Sequence, residues 1–216
     1  MKKYSLAQFF VLFGLLFLPH GLHAEEMVQI PEGPFLMGEK NDTKPASPKE
    51  VTLAPFFIDR VEVTNKAFQK AFPSHAFPPG ADNHPVSLVT WEEAKSYCER
   101  LDKRLPTEEE WEKAARGTDG RIYPWGNKAL RTAAHPSTSG MVKRNVGFNK
   151  KDLSPYGALE MASSVWEWTL GDEAGKKIAR GGVWNLHLDY EYSTTFDRIL
   201  VGPDQRFIFL GFRCVK

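Results

Sequence analysis

The segment Lys103–Asn127, KRLPTEEEWEKAARGTDGRIYPWGN, contains a helix with both of its ends written into the residues. Thr107 precedes Glu110 by three positions, so each side chain can satisfy the other's backbone N–H in a capping box. Trp111, Ala114 and Ala115 recur at helical spacing and mark a buried face. Gly117 supplies the stop. Trp125-Gly126-Asn127 is turn composition, so the chain leaves this helix into irregular structure.

The device recurs just upstream. In TWEEAKSYCERLD, Thr90 and Glu93 form a second capping box, and Trp91, Ala94, Cys98 and Leu101 share one face of a helix predicted to end near Asp102. Towards the amino terminus, VQIPEGPFLMG places apolar residues on either side of Pro31-Glu32-Gly33 and predicts a hairpin. FFIDRVEVT predicts a strand ending at Thr64, which would cap a short helix from Asn65 to Phe72. Beyond the second capped helix, Pro155-Tyr156-Gly157 and Arg180-Gly181-Gly182 punctuate short strands and long loops. Lys40 to Lys49 reads as a surface loop, and no repeat or low-complexity run interrupts the chain.

The first residues combine Lys2 and Lys3 with an apolar stretch from Phe9 to Leu18 and a small residue, Ala24, before Glu25. That is the pattern of a secretory signal peptide over residues 1–24, which leaves one domain over 25–216. The apolar stretch is short for a membrane span, and no later segment approaches the roughly 20 apolar residues a spanning helix needs. A mature chain without a transmembrane segment, periplasmic or secreted, is therefore expected. Losing Lys2 and Lys3 takes the formal charge from +1 to −1. With no basic run to follow a phosphate backbone, nucleic acid is not an expected partner.

The chain has two cysteines, Cys98 and Cys214. In an oxidising compartment they are expected to pair, the alternative being two buried thiols. A bond closing so long a loop is worth about 4 to 5 kcal/mol in the chain-entropy account. RGGVWNLHLDYEY, from Arg180 to Tyr192, sets His187, Asp189 and Glu191 at alternate positions. On a strand these would share a face, either as ligands to a metal or as a solvated row opposite Leu186, Leu188 and Tyr190.

Seven ordered segments resemble the formylglycine-generating, or sulfatase-modifying factor, family: MVQIPEGPFLMG, FFIDRVEVTN, HPVSLVTWEEAKSYC, KRLPTEEEWEKAARGTDGRIYPWGN, SPYGALEMASSVWEW, RGGVWN and LGFRC. The resemblance runs from Met27 to Val215. It implies an α/β (α+β), irregular C-type-lectin-like fold with a small antiparallel sheet, two main helices and long loops. It also implies that Cys98 and Cys214 form the family's structural disulfide.

Formylglycine-generating enzymes oxidise a sulfatase cysteine with oxygen, using copper held by two cysteines after Arg-Gly-Gly. Here Leu186 and Glu191 fall on those two positions, and Val183 replaces a serine near the oxygen pocket. Leucine ligates nothing, and Cu(I) prefers thiolate to carboxylate, so copper is not an expected cofactor. A non-haem iron site would need a second histidine beside His187, from His135 or His84. Trp166 and Trp184 read as core aromatics.

The resemblance further implies calcium. Glu160 and Glu167 match side-chain ligands of one family site, and Ser163 and Val165 match backbone-carbonyl positions. Waters would complete the six to eight oxygens calcium takes. Ser164 replaces the family's usual asparagine there. At a second family site, Gly147 and His135 replace an aspartate and an asparagine, so that site is expected to be lost. The functional reading is an exported accessory module holding a protein, peptide or glycan. The alternative is a periplasmic oxidoreductase resembling pyoverdine-maturation proteins, and sulfatase activation comes last.

Overall fold

The computed structural model describes residues 26–39, 48–129, 144–182 and 193–216. The segment read as a signal peptide, nearly all of the Lys40–Lys49 loop, His135 and the whole run from Val183 to Tyr192 lie outside them. Among the described residues no helix is long and apolar enough to cross a membrane.

Strands β1 (Met27–Ile30), β2 (Gly33–Met37), β3 (Lys49–Leu53) and β4 (Phe56–Asp59) open the domain. The hairpin expected across Pro31-Glu32-Gly33 does not form. β1 pairs antiparallel with β4 and β2 with β3, as two separate ladders. Proline has no N–H to give to a ladder, and Gly33 takes a φ of +119°, so the backbone turns aside and each strand finds a different partner. Nor does β4 run to Thr64. It ends at Asp59, and after it the chain is stitched to the carboxyl-terminal segment, with Val63 N–H donating to the Phe212 carbonyl at 3.0 Å.

Helix α1 (Asn65–Ala71) starts at Thr64, whose hydroxyl accepts the Ala67 N–H. Helices α2 (Trp91–Glu99) and α3 (Glu108–Arg116) both carry the reciprocal capping boxes expected of them. The second helix is shorter than expected and ends at Glu99, with Arg100 as its C-cap. Leu101 therefore leaves the helical face and is 44% exposed. Past α3, Gly117 has a φ of +73°, and a Cβ there would stand 2.8 Å from Pro155 Cγ. Conformation and space both require glycine at this stop.

A four-stranded sheet in the order β7-β6-β5-β8 closes the domain, formed by β5 (Trp166–Glu173), β6 (Lys176–Gly181), β7 (Arg198–Val201) and the two-residue β8 (Leu210–Gly211). It is antiparallel except where β8 joins β5 in parallel. Two apolar clusters fill the interior. One packs Val63, Phe68, Ala94, Tyr97, Trp168 and Phe212 around Cys98 and Cys214. The other seats Trp111, Ala114 and Ala115 of α3 against Ile30, Ile58 and Met161. The architecture is the mixed, loop-rich one expected, with α1 added to the two main helices.

Candidate metal centre

Gly211 and Phe212 bring Arg213 into the interior between β4 and the start of β5, where it is fully buried. Its Nε donates to Glu167 Oε2 and one terminal nitrogen to Glu167 Oε1, both at 2.7 Å. The remaining donors reach the carbonyls of Asp59, Arg60 and Leu159 at 3.0–3.2 Å. Trp111 Nε1 adds a bond to Glu167 Oε2 at 2.8 Å. The two-pronged guanidinium matches the planar carboxylate, and burial from water makes the pair sensitive to loss of either partner.

Glu160 sits in a left-handed conformation, φ +60°, and Ser164 in another, φ +79°. The long side chain of Glu160 reaches back to the loop near Gly147. Its Oε2 accepts the Gly147 N–H at 2.5 Å and its Oε1 the Asn149 N–H at 2.9 Å. The expected calcium positions Glu160, Ser163, Val165 and Glu167 thus lie on one buried turn leading into β5, with both carboxylates already accepting protein hydrogen bonds. Leu186, His187, Asp189 and Glu191 lie outside the described residues. Cys98 and Cys214 form a disulfide, Cα–Cα 5.7 Å, with both residues fully buried.

Two further acids stand beside this turn. Glu62 is buried, and neither of its carboxylate oxygens has a hydrogen-bond partner. Its nearer approach to Arg213 is 4.0 Å, and the Ser164 hydroxyl favours its charged form without reaching hydrogen-bond geometry. Asp152 is fully buried. Its Oδ2 accepts from Ala162 N–H and Ser163 Oγ at 2.9 and 2.8 Å, and its Oδ1 has no partner.

Burial pushes the Glu62 carboxyl well above the ordinary carboxylate range. The charges of Glu160 and Glu167 push it further, and Arg213 offsets part of the effect. Burial likewise raises Asp152, to about 7, against the pull of its two hydrogen bonds. Glu160 is raised by burial, opposed by the Asn149 and Gly147 N–H groups.

Neither Glu62 nor Asp152 is among the expected ligands. Local sequence does not single out the first: on the strand reading of FFIDRVEVT, Glu62 shares a face with Phe56 and Ile58 but also with Arg60, as a partly solvated row would.

The donors at this turn suit a hard divalent cation in kind and charge. They are oxygens, and Glu62, Asp152, Glu160 and Glu167 face the single buried counter-charge of Arg213 among the described residues. No three His, Cys, Asp or Glu side chains converge in metal-holding geometry among those residues. A bound calcium would therefore draw on backbone carbonyls as well as carboxylates.

A second buried network ties α3 to β6. Arg180 donates to Glu112, which also receives Arg116 at 2.8 Å, and Arg180 reaches the Phe196 carbonyl at 2.9 Å. Its guanidinium thus clamps the root of the segment that begins at Gly181.

Residues 17–216 match the family described as "Sulfatase-modifying factor enzyme 1-like domain". Among curated proteins, the chain is 31% identical to "Inactive C-alpha-formylglycine-generating enzyme 2" of Mus musculus, over 90% of this chain and 87% of that one. It is 28% identical to the "Formylglycine-generating enzyme" of Mus musculus, over 93% of this chain and 77% of that one. Among solved structures, "Treponema denticola variable protein 1" superposes with a TM-score of 0.70 at 25% identity, covering 88% of this chain and 94% of that chain.

Proposed function

The chain belongs to the sulfatase-modifying factor enzyme 1-like domain family, and on that premise we propose that it is an exported binding or accessory module that lacks the family's copper-dependent oxidation. One observation carries the reading. The chain has two cysteines in all, and both are committed to a fully buried disulfide in the same core cluster as Trp168. No thiolate remains to capture Cu(I) or to attack a substrate sulfur. By the family resemblance, Leu186 and Glu191 fall where the copper thiolates belong. The similarity to a relative named as inactive agrees with this.

The ligand is proposed to be a protein, peptide or glycan held by the long loops of the fold, and calcium is proposed to be held at the turn before β5 as a structural ion. Purified mature protein, supplied with copper and a sulfatase-derived cysteine peptide, is expected to yield no aldehyde and no peptide-dependent oxygen uptake. Formation of the aldehyde by mass spectrometry would overturn the reading.

A further inference from the structure

We infer that the carboxylate of Glu62 is an anionic ligand for a calcium-class cation at the buried Glu160–Glu167 turn. This rests on the calcium reading above and assigns the ion a residue outside the expected ligand positions. The buried basic side chain facing these acids is Arg213, and its donors are already committed to Glu167 and to three carbonyls, while the exposed Lys150 acts on Glu160 from the Gly147 loop. Glu62 stands 4.0 Å from that guanidinium, too far for a hydrogen bond.

Both Glu62 oxygens are buried without a partner, and so is Asp152 Oδ1. A buried carboxyl group is costly in either protonation state unless its polar atoms find partners. The charged form lacks donors here. The neutral form would still leave its carbonyl oxygen without a donor. A divalent cation resolves both problems, because it accepts unpaired oxygens and lowers the repulsion between Glu62, Glu160 and Glu167.

The geometry also explains why the role falls to Glu62. Glu167 is held by Arg213 and Trp111, and Glu160 by two backbone N–H groups. These two are positioned as walls with spare lone pairs, whereas Glu62 has both oxygens open. Ser164, turned into the left-handed region, lies beside Glu62 at the turn that would lend its carbonyls.

The test uses the full mature chain with calcium or terbium alone. Trp111, bonded to Glu167, stands close enough to sensitise terbium emission. Wild type is expected to melt higher in calcium than in chelator and to show tryptophan-excited terbium emission displaced by calcium. Glu62→Gln should lose tenfold or more in calcium affinity while melting in chelator no lower than wild type. Glu62→Asp, which keeps the charge, should retain a measurable calcium shift.

An unchanged calcium response in Glu62→Gln would overturn this inference and leave the calcium reading standing. No calcium shift and no bound metal in wild type would overturn both. Should Glu62→Gln fail to fold, equal calcium affinity in wild type and Glu62→Asp would count against ligation, because ligation depends on reach.

Discussion

Arg213 shows how one residue organises this interior. It lies in the LGFRC segment, near the end of the chain, and joins β4, the turn before β5 and α3 through Glu167 and Trp111. Replacing it leaves Glu167 buried and uncompensated beside Glu62 and Glu160, and breaking a buried pair from one side typically costs about 3 to 5 kcal/mol. Arg213→Met is therefore expected to lower stability by about that amount in urea unfolding at neutral pH. A loss below about 1 kcal/mol would show that the guanidinium is not the centre of this network. From sequence alone, Glu160 and Glu167 were legible as acids near core tryptophans, but Glu62 was not. Its consequence depends on what stands across from it, more than 90 positions along the chain.

Elements were legible wherever a local device specified them. The caps of α2 and α3 need only four consecutive residues, and both formed as expected. Strand partners were not legible, because pairing depends on distant segments, and Pro31-Glu32-Gly33 separates two strands that face different partners.

At α2, the capping carboxylate of Glu93 also takes Arg206 at 2.6 and 2.7 Å, drawing the Phe207 loop onto the helix start. Partial burial pushes the Glu93 carboxyl up, but Arg206 and the Thr90 N–H pull harder and leave it below its ordinary value. A depressed carboxyl contributes stability above its unfolded pKa of about 4.3, and that contribution disappears as pH falls through the folded value. Glu93→Gln keeps the cap and removes the charge. Its stability should accordingly fall less steeply than wild type's below about pH 4.3, by a few tenths of a kcal/mol because the pair is largely solvated. Parallel pH–urea curves for the two proteins would contradict this. Thr107→Ala, which removes the α3 cap, should cost about 1 kcal/mol in the same measurement.

At the scale of the whole molecule, the carboxyl terminus closes the fold. Val215 exchanges backbone bonds with Arg104, Cys214 N–H donates to Asp59 Oδ2 at 2.9 Å, and Lys103 holds the other oxygen of that aspartate at 2.6 Å. The Cys98–Cys214 bond spans 116 positions and fastens α2 to this closing segment. In the chain-entropy account a loop of that size is worth about 4 to 5 kcal/mol. The double variant Cys98→Ser/Cys214→Ser is expected to lose stability of that order, plus the cost of two buried hydroxyls. Non-reduced peptide mapping of wild type produced in an oxidising compartment should recover the linked pair, and two alkylatable thiols in that native protein would contradict it.

The sequence alone determined the two capped helices, the glycine stop after α3 and the shortage of thiols, since each depends on residue type or on neighbours within a few positions. It also determined family membership, because seven ordered segments leave little freedom in how the chain is arranged. Only the tertiary structure decided that β1 and β2 part company, that Leu101 faces solvent, and that Glu62 and Asp152 join Glu160 and Glu167 around one arginine. Those outcomes depend on which distant segments exclude water from which side chains, and local sequence carries no measure of that.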